Sequence, residues 1–327
     1  MRNIKYDTIK ELTVLYLEER KPFIKNSSYS HYWELANNYI YPHVGELAFS
    51  DFNNDALKNY LECLKHRGKT SGRGGLSDKT IKDVMILLKS IFNYAVDNCY
   101  CSPNVIFPKT RCIQKTSPMI LVLTKKDQSL LEEYVLNNLN TIQYGILLSL
   151  YTGMRIGEIC ALKWEDIDVE NGLISVNKTV LRIKNVDAHR RNQVEPKTIL
   201  TINSPKSASS NRMIPIPKYI NEITKTIMKQ RQHSSKDYYV LSDTDKPIEP
   251  REYYKRYKRI LVNCGINAKY TFHTLRHTFA TRCVEQNVDP KIISELLGHS
   301  NVSITLNRYV HPTMKMKRDS MERLFKR

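Results

Sequence analysis

A mainly α protein with a small antiparallel sheet, an α+β arrangement in two domains, is what this sequence predicts, and three observations carry the prediction. Apolar residues recur at three-to-four spacing through the first hundred residues, the mark of helices that bury one face. Between Gly172 and Pro217 the period drops to two, the mark of half-buried strands, and afterwards it returns to the helical value. From Cys101 to about Pro118 prolines and basic residues interrupt any period, which marks a boundary. A chain of 327 residues with 41% hydrophobic content has material for a core in each of two domains.

Taken in order, DTIKELTVLYLEERK, SYSHYWELANNYI, NNDALKNYLECLKHR and LSDKTIKDVMILLKSIFNYAVDN read as four amphipathic helices, with Ser77 or Asp78 placed to cap the last. They predict an all-helical domain over residues 1–106 and a linker over 107–120, followed by a second domain over 121–327. Helices resume at LTKKDQSLLEEYVLN and NTIQYGILLSLYTG. The segments GLISVNKTVLR, KTILTINSP and NRMIPIP alternate as strands of a small antiparallel sheet. The polar stretch VDAHRRNQVEP between the first two is expected to be a long solvated turn, with DNA contact as the other reading. In PREYYKRYKRILVNCG, Tyr257, Ile260 and Leu261 share an inward face, while Lys255, Arg256, Lys258 and Arg259 form a basic outer one. HRGKTSGRGG ends like a phosphate-binding P-loop, but the position of that motif's first glycine is Cys63, and the loop follows a helix rather than a strand. Gly68 reads instead as a helix C-cap.

Fifty-one Lys and Arg against 33 Asp and Glu leave a formal charge of +18, which points to a polyanionic partner. Residues 1–117 carry 17 basic and 12 acidic side chains, so most of the excess lies in the remainder. No apolar run reaches the length of a membrane span and MRNIKYDTIKELT lacks a signal-peptide core, so a cytoplasmic protein is expected. The cysteines at 63, 99, 101, 112, 160, 264 and 283 are odd in number and scattered, which predicts reduced thiols.

The stretch HTLRHTFATR frames the chemistry. His273 and His277 are four apart, as zinc-binding histidines on a helix are, but Thr274 stands where a zinc protease needs its glutamate, so a metal site loses its base and none is expected. His273 and Arg276 share a helix face, an imidazole and a cationic fork suited to phosphate. In YTGMRIGEICALKWEDID, Arg155 follows Gly153 at a helix start, with Glu158 three residues on to orient its guanidinium. In LGHSNVSITLNRY, His299 follows a glycine and Tyr309 comes ten residues later. In SPKSASSNRMIPIP, Lys206 sits in a turn between strands, where it can reach across a cleft.

These motifs together resemble the tyrosine recombinases, the phage integrase family. TGMRIGEICALKW matches the family's first arginine box, HTLRHTFAT with LLGHSNVSITLNRYVH its second, and KSASSNRMIPIP its lysine hairpin. The first domain, ending in IFNYAVDNCYCSPN, is similar to the family's core-type DNA-binding domain. The resemblance implies a tyrosine-recombinase catalytic domain over 121–327 acting on double-stranded DNA without cofactor or metal. Tyr309 would attack a scissile phosphate to give a 3′-phosphotyrosine and a free 5′-hydroxyl. Arg155, Arg276 and His299 would stabilise the charge gathering on the non-bridging oxygens. His273 would take the phenol's proton, Lys206 would protonate the departing 5′-oxygen, and Glu158 would hold Arg155. The phosphodiester energy is kept in the covalent link, so no ATP site is required.

The family also implies a homo-tetramer on DNA joined through the C-terminal tail, where Met314, Met321, Leu324 and Phe325 can share a face, and an accessory factor that sets direction. The short N-terminus is expected to leave no room for an arm-site-binding domain. The leading expectation is a mobile-element or phage integrase. An Xer-like dimer resolvase, a catalytically idle architectural DNA-binding protein and a type IB topoisomerase are the alternatives.

Overall fold

The computed structural model describes residues 7–71, 73–98, 100, 106–107, 120–191, 196–203, 211–231, 235–310, 318, 321–322 and 324, with 189–191 described as backbone only. Two compact units divide the chain. Met1–Ser117 with Ile183–Ile199 form one, and Pro118–Arg182 with Leu200–Arg327 form the other. The expected linker, 107–120, lies almost wholly outside the described residues.

The first unit is built on helices α1 (Ile9–Arg20), α2 (Asn26–Leu35), α3 (Tyr41–Val44), α4 (Asn54–Arg67) and α5 (Asp78–Asp97). Local chemistry starts them where the sequence suggests. Thr8 and Glu11 close a capping box on α1, Asn53 accepts from Asp55 and Ala56 at the head of α4, and the Ser77 hydroxyl accepts from Thr80 N–H on α5. Their apolar stripes meet in one core containing Leu12, Leu17, Ile40, Leu64, Leu88 and Ile91. Gly68 closes α4 at its C-cap, as expected.

The second unit holds α6 (Lys125–Asn137), α7 (Thr141–Thr152), α8 (Ile156–Ala161), α10 (Lys218–Gln230), α11 (Pro250–Asn263), α12 (Phe272–Glu285), α13 (Pro290–Leu297) and α14 (Val302–Tyr309). Helix α7 is apolar nearly all round, because it runs through the middle of the core and is buried at Tyr144, Ile146, Leu147, Leu148 and Leu150. Each such side chain contributes roughly 1.5–3 kcal/mol on burial. Strands β1 (Ile167–Asp168), β2 (Leu173–Val176) and β5 (Arg212–Pro215) form an antiparallel sheet in the order β1-β2-β5, with Ile174 opposite Ile214. Strands β3 (Thr179–Lys184) and β4 (Thr198–Asn203) pair separately.

Two local expectations are corrected. GLISVNKTVLR is two strands in two sheets, broken at Asn177–Lys178. VDAHRRNQVEP is not wholly a solvated turn, because Val186–Arg191 forms a short helix, α9, with Val186 and Ala188 buried. This insertion belongs to the first unit, where Val186 joins the helical core and Lys21 reaches Asp187 at 2.8 Å. Its polar composition hid two buried apolar side chains, and the partners of one of them, Val186, lie far back along the chain.

Candidate active site

The predicted site residues arrive on the ends of four helices of the second unit. Helix α7 ends at Gly153 and α13 at Gly298, both left-handed, with φ of 67° and 63°. Glycine is required there because a side chain in that conformation is strained, and at Gly153 a Cβ would also meet Phe279 and Leu297. Each turn leaves helix-end carbonyls without partners inside the helix. Those carbonyls are where the arginines attach.

Arg276, on α12, is only 1% exposed. Its guanidinium donates to Gly153 O at 2.8 Å and to Leu297 O at 2.7 Å. Arg155, at the head of α8, donates to Glu158 Oε1 at 2.7 Å and to Gly298 O at 3.3 Å, while its backbone N–H donates to Glu158 Oε2 at 2.9 Å. A third guanidinium completes the set. Arg212, the first residue of β5, donates to Leu296 O at 2.7 Å and to both oxygens of Glu158 at 3.2 and 2.9 Å. Three consecutive carbonyls at the negative end of α13 thus each anchor a different arginine. Sequence reading missed Arg212, since NRMIPIP reads only as a strand start and Glu158 lies 54 positions away.

Arg155 and Arg212 share the one carboxylate of Glu158 while Arg276 bonds backbone carbonyls, so among the described residues the site keeps excess positive charge. Burial, and then the neighbouring Arg155, push Arg276 down to about 9. Burial alone would raise the Glu158 carboxyl, but the hydrogen bond and charge of Arg212, together with Arg155, hold it below the ordinary carboxylate range. The histidines respond to the same field. Burial and then Arg276 depress His273 to about 4 and His299 to about 3, so both are neutral at pH 7.

Tyr309 closes α14 and lies within this cluster in the same molecule, 7% exposed. Burial raises its phenol above the ordinary value of 10, against the pull of Arg276, Arg308 and Arg155. Its ring stacks parallel to that of His299 at 6.5 Å. His299 Nδ1 is occupied by the Thr305 hydroxyl at 2.8 Å, which leaves Nε2 for a substrate oxygen. An open cleft of about 490 Å³ adjoins it, lined by Arg212, Met213, Ile292 and Leu296 among others. The nearest partner of the Tyr309 hydroxyl is His277 Nδ1, at 2.7 Å, rather than His273. The His273 ring meets the His277 ring edge-to-face at 4.5 Å. The sequence shows His277 only as the second histidine of an incomplete zinc motif; its i,i+4 relation to His273 was the available signal.

Other expected residues fare differently. Lys206 lies outside the described residues, as do Met314 and Phe325 of the tail, while Met321 and Leu324 are exposed. On α11, Tyr257, Ile260 and Leu261 are buried as expected. Lys255, Arg256 and Arg259 surround Glu252 at 3.6–3.8 Å on the outer face. Lys258 is spent on structure, its ammonium bonded to the carbonyls of Ala268 and Tyr270. Among the described residues no three His, Cys, Asp or Glu side chains gather as a metal site, and no helix is long and apolar enough to cross a membrane.

Comparison with known proteins follows the same lines. The phage integrase family model matches residues 122–316. The chain is 31% identical over 286 residues to a "Tyrosine recombinase XerC-like" of Caldanaerobacter subterraneus subsp. tengcongensis, covering 82% of this chain and 69% of that one. It is 27% identical over 267 residues to the integrase of Staphylococcus phage L54a, covering 73% and 72%. Its fold matches that of the Tn1549 transposon integrase in complex with transposon right end DNA, with a TM-score of 0.76 at 24% identity over 97% of this chain and 99% of that one. The lambda integrase tetramer bound to a Holliday junction matches at a TM-score of 0.62 and 16% identity, over 95% and 80%.

Proposed function

The chain belongs to the phage integrase family and is a site-specific tyrosine recombinase, and from that premise we propose that Tyr309 is its nucleophile and residues 121–327, apart from the 183–199 insertion that belongs to the first unit, its catalytic domain. The observation that carries this reading is the gathering of Arg155, Arg276, His299 and Tyr309 around one cationic, partly buried site. A pentacoordinate phosphorane concentrates negative charge on its non-bridging oxygens, and donors already fixed to backbone carbonyls meet that charge without reorganising. Arg155 and Arg276 supply forks and His299 supplies Nε2. As the Tyr309 oxygen bonds to phosphorus, its proton leaves, with His273 as the proposed acceptor. The P–O5′ bond breaks, and Lys206 protonates the departing oxygen. Glu158 keeps Arg155 in place.

The helical first unit is proposed as the core-type DNA-binding domain, and Lys255, Arg256 and Arg259 as phosphate contacts that set affinity rather than sequence choice. The likeness of the chain to the integrase of Staphylococcus phage L54a supports a mobile-element integrase, and its likeness to the XerC-like recombinase keeps an Xer-like resolvase as the second reading. The lambda integrase tetramer on a Holliday junction supports an assembly of four protomers on DNA, and the C-terminal tail is proposed to join them. Because strand exchange is nearly isoenergetic, an accessory factor sets its direction, and the reaction belongs in the cytoplasm.

A nicked suicide substrate carrying the protein's own recombination site tests this. The wild type should accumulate a covalent protein–DNA adduct and Tyr309→Phe should not. An adduct persisting in Tyr309→Phe rejects the assignment, and relaxation of plasmid lacking the site would favour the topoisomerase reading.

A further inference from the structure

We propose that His277 is a positioning residue for strand cleavage, holding the Tyr309 phenol through Nδ1 so that its hydrogen faces α12 and its lone pair faces the phosphate site. The inference rests on Tyr309 being the nucleophile. Three observations support it. The hydroxyl lies 2.7 Å from Nδ1 of His277, a full hydrogen bond, and the rings approach at 5.7 Å. Tyr309 sits at the end of α14 and is buried to 7% exposure, with the His299 ring parallel to its own at 6.5 Å, so its ring is already held and one hydrogen bond sets the direction of the hydroxyl. The His273 ring lies against the His277 ring, so the phenol's hydrogen points into a pair of imidazoles.

Burial first, and then His273 and Arg276 on α12 and Arg308 on α14, hold His277 neutral, at about 4. A neutral imidazole has one bare nitrogen and one N–H; the proposal assigns the tautomer in which Nδ1 is bare, so that the phenol, at 2.7 Å, donates to it. With its hydrogen so engaged, the phenol oxygen presents a lone pair elsewhere, toward Arg155 and Arg276. A phenol that instead accepted a hydrogen bond would enter attack with its hydrogen free to rotate into the phosphate. Misorientation of a reacting group by about 1 Å costs on the order of 100-fold in rate.

The test compares His277→Asn, His277→Gln and His277→Ala in single-turnover cleavage of the suicide substrate, with DNA affinity measured alongside. Asn offers an acceptor where Nδ1 stands, whereas the Gln amide reaches past it. We expect cleavage to fall about 10- to 100-fold in the Gln and Ala variants and by less than about 5-fold in Asn, with affinity unchanged in all three. Equal rates in Asn and Gln overturn the proposal, and so does faster cleavage in Gln or Ala, which would show that the bond restrains the phenol. If Ala does not fold, the Asn and Gln pair decides. Tyr309→Phe in the same assay separates the two levels: an adduct there removes Tyr309 as nucleophile, whereas its absence with an unaffected His277 series removes only the role of His277.

Discussion

Arg276 is the residue on which the site's electrostatics turn. A guanidinium that is 1% exposed and, among the described residues, bonded to the carbonyls of Gly153 and Leu297 and to no carboxylate is a cation desolvated without a bonded counterion there. A DNA phosphate would supply the missing charge. Lysine keeps the charge but cannot span both carbonyls and also offer a planar fork, so Arg276→Lys should slow adduct formation about 100-fold with little loss of DNA affinity. A rate within threefold of wild type would remove Arg276 from the phosphate site. Glu158 has the opposite duty, since it is the carboxylate that Arg155 and Arg212 share. Glu158→Gln should destabilise the second unit by about 3 kcal/mol in urea unfolding and also lower the cleavage rate, because both guanidiniums lose their counterion. Loss of stability without loss of rate would make Glu158 purely structural.

At the scale of elements, the end of α13 is the frame of the site, because its last carbonyls hold Arg212, Arg276 and Arg155 in turn. Gly298→Ala forces a side chain into the left-handed region and should cost about 1–2 kcal/mol, with a further fall in cleavage as the carbonyls shift. Gly153→Ala should cost more, because the new Cβ lies 2.6 Å from Phe279 and 2.7 Å from Leu297. Thermal melts rank the two, and equal losses would contradict the packing argument. This frame also explains what the sequence discloses. Arg155, His299 and Tyr309 are proposed from sequence because the separated motifs that hold them come in a recognisable order, and the fold brings the three together. Arg212 and His277 are not, because their meaning lies in partners 54 and 32 positions away. The helices of the first unit are legible from period and caps, whereas α9 is not, because a six-residue polar helix has no periodicity to detect. On α11 the amphipathic pattern identifies the buried face but cannot tell Lys258, bonded to the chain, from Lys255, Arg256 and Arg259. Charge reversal at those three should weaken binding to all DNA and flatten its salt dependence; an unchanged salt slope would exclude them from the interface.

For the whole molecule, the arginine field makes stability depend on pH. His273, His277 and His299 bind protons near 4, 4 and 3 in the folded protein, against 6.5 ordinarily. Between those values and 6.5 the unfolded chain takes up protons that the native one refuses, so this stabilisation is present in full above pH 6.5 and declines as pH falls toward 4. The urea midpoint of the DNA-free protein should therefore drop between pH 7.5 and pH 5, and an unchanged midpoint would mean that the histidines are not held neutral. A polyanion offsets the part of this depression that the arginines cause, so DNA binding should take up protons and strengthen as pH falls toward 4. In the reaction we propose, one tyrosine, assisted by fixed guanidiniums, attacks phosphorus. Mass spectrometry of the adduct trapped on a suicide substrate in the presence of a chelator reads that bond itself. A nucleotide joined through its 3′-phosphate to Tyr309, in yield unaffected by chelation, is expected. A nucleotide on any other residue, a 5′-linkage, or loss of the adduct with chelator would contradict it.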